Sequence, residues 1–93
     1  MKPFKLQIAA PDGLRYDGDA CQISVRGIGG ELAVLAGHVP FVTAVKACEC
    51  RVYTTEDGKT IRRAKTSGGM LLVSKECVRL LSSDFTWTDE SEK

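Results

Sequence analysis

The side chains with the widest chemical reach in this 93-residue sequence are four cysteines and one histidine. His38 has no second histidine to share a metal, and no Ser-His-Asp arrangement of recognised spacing surrounds it. Cys48 and Cys50 form a C-x-C, Cys21 and Cys77 stand alone, and nothing repeats the paired C-x-x-C of a zinc ribbon. The glycine-rich run Gly27-Ile28-Gly29-Gly30 lacks the Lys-Ser/Thr that a phosphate-binding loop requires. It reads more simply as a turn, where positive φ costs glycine little. Glu56 and Asp57 are adjacent carboxylates at an expected turn tip, where solvation is the default. Nucleophile, base and oxyanion donors do not assemble, so the residues predict no catalytic site, no metal site and no cofactor.

The elements that must position these residues are strands. Turn signals recur at Pro11-Asp12-Gly13, Asp17-Gly18, Gly27 to Gly30, Gly37 to Pro40, Glu56-Asp57-Gly58, Gly68-Gly69 and Lys75-Glu76. Between them lie short runs of period-two alternation, such as Phe4, Leu6, Ile8 and Ala10 against Lys5, Gln7 and Ala9. That spacing predicts an all-β flattened sandwich or barrel of about ten short strands. Val52 to Ile61 reads as a hairpin in which Asp57-Gly58 supplies the positive φ angles of a tight turn. Leu71-Leu72-Val73 and Val78 to Leu81 read as another. Strand parity puts Cys21 with Ile23 and Val25, and Cys50 with Val52, so the cysteines are expected in the core as small apolar side chains. The expected sandwich covers 1–84, and 85–93 reads as a short acidic polar tail.

Composition narrows the function classes. Apolar content of 43% with 27% charged residues is that of one globular domain, and a formal net charge of +1 leaves no broad basic surface for nucleic acid or lipid headgroups. No apolar run approaches the ~20 residues that cross a bilayer, and Met1 to Lys5 lacks the apolar segment of a signal peptide. An intracellular chain that reaches a membrane only through a protein already there is the expectation.

The run from Gly29 to Lys46 adds an identification. Gly30, Glu31, Leu32, Gly37, His38, Pro40, Thr43 and Ala44 sit in register with a signature that resembles the epsilon subunit of bacterial F-type ATP synthase, called delta in mitochondria; Ala36 replaces the usual proline. Ala10-Pro11-Asp12-Gly13-Leu14 with Tyr16, Ser67-Gly68-Gly69-Met70-Leu71, and Val78-Arg79-Leu80-Leu81 resemble other parts of that family in order. The resemblance spans about Phe4 to about Asp84.

The resemblance implies a non-catalytic rotor-stalk subunit at the cytoplasmic face of a bacterial plasma membrane, coupling gamma to the c-ring during proton-driven ATP synthesis. It implies contact with the polar loops of the c-ring through Gly30, Glu31 and His38. A carboxylate there faces the loop arginine, although His38 serves equally as a turn residue bonded to nearby backbone. A second, apolar surface is expected to grip gamma, with Ala10, Pro11, Leu14, Val42, Thr43, Gly68 and Gly69 as candidates within wider stretches reaching Val45 and Leu71. Val42 and Leu71 read more readily as core. Family members usually continue into two helices that restrain ATP hydrolysis or bind ATP, and the sequence after Leu81 offers no residues for them. The alternative is a stand-alone β-sandwich binding module that has kept the fold and left the synthase.

Overall fold

A computed structural model describes residues 2–37 and 39–88. Ten strands account for most of them: β1 Phe4–Ala10, β2 Gly13–Ala20, β3 Gln22–Gly27, β4 Gly30–Val34, β5 Phe41–Val45, β6 Cys48–Tyr53, β7 Ile61–Thr66, β8 Gly69–Val73, β9 Val78–Ser82 and β10 Phe85–Trp87. They form one ribbon in the order β10-β7-β6-β3-β5-β8-β9-β1-β2, with β4 on the other edge of β3. Strand β3 is the corner. Its first half pairs with β6, from Gln22 opposite Tyr53 to Ser24 opposite Arg51. Its last residue, Gly27, pairs with Val45 of β5. The ribbon bends there into two layers.

Alternation decides what the layers bury. Ile23, Val25, Val34, Cys50, Val52, Ala64 and Phe85 from one layer meet Leu6, Ile8, Val45, Leu71, Val73, Val78 and Leu80 from the other in a single core. The two ends of the ribbon meet through side chains. Trp87 Nε1 donates to the carbonyl of Arg15 at 3.2 Å, and Arg15 Nε donates to the carbonyl of Phe85 at 3.2 Å. Trp87 packs edge-on against Phe85 with ring centroids 5.0 Å apart, and the Arg62 guanidinium lies 3.9 Å from its ring centroid. Arg15 also donates to both oxygens of Asp12, at 2.7 and 2.9 Å, which holds that carboxyl below its ordinary pKa.

Three expectations need correction. Residues 85–87 are a strand rather than the start of a tail: Phe85 pairs with Thr66, and its ring is buried at 2% exposure. A three-residue strand is too short to show alternation among the polar residues around it, so its assignment depends on β7. Asp17 and Gly18 lie inside β2 and make no turn. The connection after β6 is a longer loop, in which only Gly58 has positive φ, at 74°. Asp57 instead accepts from Thr55 Oγ1 at 2.6 Å and from the Lys59 amide at 2.9 Å, and the Thr55 bond chiefly lowers its pKa.

The cysteines divide. Cys21 and Cys50 are buried, whereas Cys48 and Cys77 are half-buried, and all four are free thiols. Burial, then neighbouring Cys48 and Glu49, pushes the Cys50 thiol up to about 12. A thiol reagent at mildly alkaline pH is therefore expected to modify only Cys48 and Cys77 in the native chain, and Cys21 and Cys50 only after denaturation. Native labelling of Cys50, read by peptide mass, contradicts this packing.

Candidate docking surfaces

With the inward positions taken by the core, function falls to the two outward faces. On the β5-β8-β9-β1-β2 layer, register brings one apolar residue from each strand into a row. Ala44 lies opposite Met70, Met70 opposite Leu81, Leu81 beside Ala9, and Ala9 opposite Leu14. At ~4.8 Å per strand the row extends about 19 Å. Met70 and Leu81 are each 45% exposed and Leu14 is 56% exposed. The next row begins with Val42 opposite Leu72 but continues through Arg79, Gln7 and Asp17, so the apolar surface narrows to a wedge with a polar margin. Scattered exposed apolar residues are ordinary; a contiguous band with a polar rim is the pattern of an interaction surface.

The residues expected to grip gamma fall unevenly on this face. Leu14 lies in the row and Val42 beside it, at 62% exposure, so the core reading of Val42 fails while that of Leu71 holds at 0%. Pro11 is exposed in the β1–β2 turn and Ala10 is half-buried beside it. Thr43 sits on the opposite parity, across from buried Leu71. Gly68 is buried, and Gly69 is exposed; a Cβ on Gly69 would lie 1.9 Å from the Leu81 carbonyl oxygen. Both glycines shape backbone rather than offer side-chain surface. Sequence reasoning missed Ala9 and Leu81. The signal was present, because Leu80 and Leu81 are adjacent in a strand and cannot both point inward.

The opposite layer carries charge. Arg26 and Glu31 face each other across β3 and β4, and Arg51 and Arg63 across β6 and β7. Glu31 lies 3.4 Å from Arg51 and 3.9 Å from Arg26, and Glu49 lies 3.9 Å from Arg51 and 4.0 Å from Arg63. The Glu31 side chain remains 60% exposed, so these pairs hold orientation more than stability. Gly30, with φ of 124°, faces Gly27 in register and closes the hairpin beneath Ile28, whose side chain is 68% exposed at the tip. Ile28 is a third residue that sequence reasoning passed over. His38 lies outside the described residues. Its neighbour Gly37 follows the far end of β4, where it lines a cavity with Pro3, Ser74 and Cys77.

Among the described residues, no cluster of His, Cys, Asp or Glu is arranged to hold a metal ion. No helix there is long and apolar enough to cross a membrane. The two outward faces, one apolar and one charged, lie on opposite layers of the sandwich.

Comparison with known proteins gives these surfaces a context. Residues 3–88 match the family described as the ATP synthase delta/epsilon chain β-sandwich domain. The ATP synthase epsilon chain of Bacillus licheniformis is 36% identical over 93 residues, covering 100% of this chain and 69% of that one. The epsilon chain of Bacillus velezensis is 40% identical over 82 residues, covering 88% of this chain and 60% of that one. The chain thus spans about 60–69% of the length of these relatives. Among solved structures, a chain of the Euglena gracilis mitochondrial ATP synthase, OSCP/F1/c-ring in rotational state 1, superposes with a TM-score of 0.84 at 23% identity, covering 95% of this chain and 55% of that one. A chain of the Tetrahymena thermophila mitochondrial ATP synthase central stalk/c-ring gives 0.74 at 11% identity, covering 90% and 66%. Both structural likenesses are likenesses of fold.

Proposed function

The chain belongs to the ATP synthase delta/epsilon family through its β-sandwich domain, and on that footing we propose that it is a central-stalk subunit joining the gamma subunit to the c-ring. It performs no bond chemistry and takes no cofactor. Proton flow turns the ring, and this sandwich makes ring and gamma rotate as one body while catalysis proceeds elsewhere in the enzyme. Its place is at the cytoplasmic face of a bacterial plasma membrane, held by contacts with the F1 sector and the ring's polar loops.

The observation that carries the proposal is the division of the surface. A coupling element needs one face for each body it joins. The row from Ala44 to Leu14 suits gamma, because a wide desolvated band resists slipping under torque. The β3–β4 hairpin, with exposed Ile28 at its tip and Glu31 beside it, suits the polar loops of the ring. A charged contact of this kind fixes register and partner choice more than affinity.

The test is synthase reconstituted in vesicles with and without this chain. With it, ATP hydrolysis is expected to drive proton uptake; without it, hydrolysis should persist while proton uptake is lost. Equal proton pumping in both preparations contradicts a coupling role.

A further inference from the structure

Strand parity breaks at one point of the β1–β2 ladder, and the break is what exposes Leu14. From Phe4 opposite Ala20 to Ile8 opposite Tyr16 the two strands keep register, so Gly18 and Tyr16 share the inward face with buried Leu6 and Ile8. Tyr16 accordingly packs against the core. Continued without interruption, Leu14 would share that face, two residues on. The register instead shifts between Ile8 and Ala9. Ala9 lies opposite Leu14, and Arg15 becomes the extra residue of a β-bulge. Leu14 therefore stands with Ala9 on the outward face, at 56% exposure. The bulge, more than the alternation of β2, puts it there.

A bulge residue has no partner in the ladder, and here the groups of Arg15 are taken up elsewhere. Its carbonyl accepts from Trp87 Nε1 at 3.2 Å, its Nε donates to the Phe85 carbonyl at 3.2 Å, and its Nη2 donates to both carboxylate oxygens of Asp12. One residue is thus held by β10 across the seam and by the turn that precedes Leu14. We propose that Arg15 is a positioning residue for the gamma contact: clasped between β10 and Asp12, it holds the bulge that turns Leu14 outward into the apolar row. The inference rests on the reading that this row meets gamma. Arg15 acts through Leu14. A guanidinium serves carbonyl and carboxylate together because its donors form a fixed fork, which a lysine ammonium lacks.

The experiment is a pair of double-mutant cycles on the full chain, read as affinity for isolated gamma. Arg15→Ala, Leu14→Ala and Met70→Ala are each expected to weaken binding about tenfold. Arg15→Ala combined with Leu14→Ala should be no weaker than either alone, because the second change removes what the first misplaces. Arg15→Ala combined with Met70→Ala, three strands away, should multiply to about a hundredfold. A purely structural role for Arg15 would lower affinity alike in both backgrounds. A melting curve for each variant confirms folding, and if Arg15→Ala does not fold, Arg15→Lys takes its place in both cycles. Wild-type affinity in the Arg15 variant, or equal multiplication with Leu14→Ala and Met70→Ala, overturns the proposal, as does a Leu14→Ala without effect where Met70→Ala weakens binding. If neither Leu14→Ala nor Met70→Ala changes the affinity, the row does not meet gamma, and the proposal falls with the reading beneath it.

Discussion

Leu81→Asp is expected to weaken binding to gamma by about a hundredfold while the chain still folds. Leu81 sits at the middle of the apolar row, between Met70 and Ala9, so a partner covering the row must desolvate whatever stands there. An aspartate at that position brings an unpaired charge into the centre of the interface, where truncations and charges cost most. In the free chain the same side chain is 45% exposed, so the carboxylate stays hydrated and stability should change by about 0.5–1 kcal/mol. Met70→Glu should act alike. Arg79→Ala, in the next row and past its polar margin, should matter far less. Equal losses for Arg79→Ala and Leu81→Asp, measured by titration with isolated gamma, would show that the row is not the contact.

Gly69→Ala should strongly destabilise the fold, because the added methyl has no room. The new Cβ would lie 1.9 Å from the Leu81 carbonyl oxygen and 2.9 Å from its carbon, and the backbone there has φ of 157°. The obstacle is backbone of the adjacent strand, which cannot swing aside as a side chain can. The β8–β9 pairing must open locally, at a cost of about 3 kcal/mol or more against a total stability of about 5–15 kcal/mol. Gly30→Ala is the control. Its φ of 124° is also unfavourable, but no atom lies within 4 Å of the added methyl, so only about 1 kcal/mol of backbone strain is expected. Thermal melting of the two variants tests this, and equal midpoints would contradict it.

Alternation carried the fold because both layers have one wet face and one dry face. Leu6 and Ile8, Ile23 and Val25, and Cys50 and Val52 are each buried in pairs two residues apart. It was silent on β10, where Phe85 is the one fully buried residue of a three-residue strand and the partner that defines it, β7, is about twenty positions away in the chain. The docking face was half legible. Leu14 and Val42 stand out as apolar residues in strands, but their joining into a row depends on the parallel β1–β9 pairing that places Ala9 beside Leu81. Period two says which residues share a face within one strand and nothing about which strands are neighbours. The charged ladder of Arg26, Glu31 and Arg51 was not legible, because its members come from β3, β4 and β6 and each reads alone as a solvated charge.

The claim that two separate faces join two bodies is tested most directly by a pull-down of Glu31→Lys and Leu81→Asp, each with isolated gamma and with c-ring plus gamma. Lysine at 31 removes the carboxylate shared by Arg26 and Arg51 and places a further cation at the ring contact. Glu31→Lys should retain gamma and lose the ring, whereas Leu81→Asp should lose gamma. If Glu31→Lys loses isolated gamma as completely as Leu81→Asp does, the two faces do not act separately and the account is wrong.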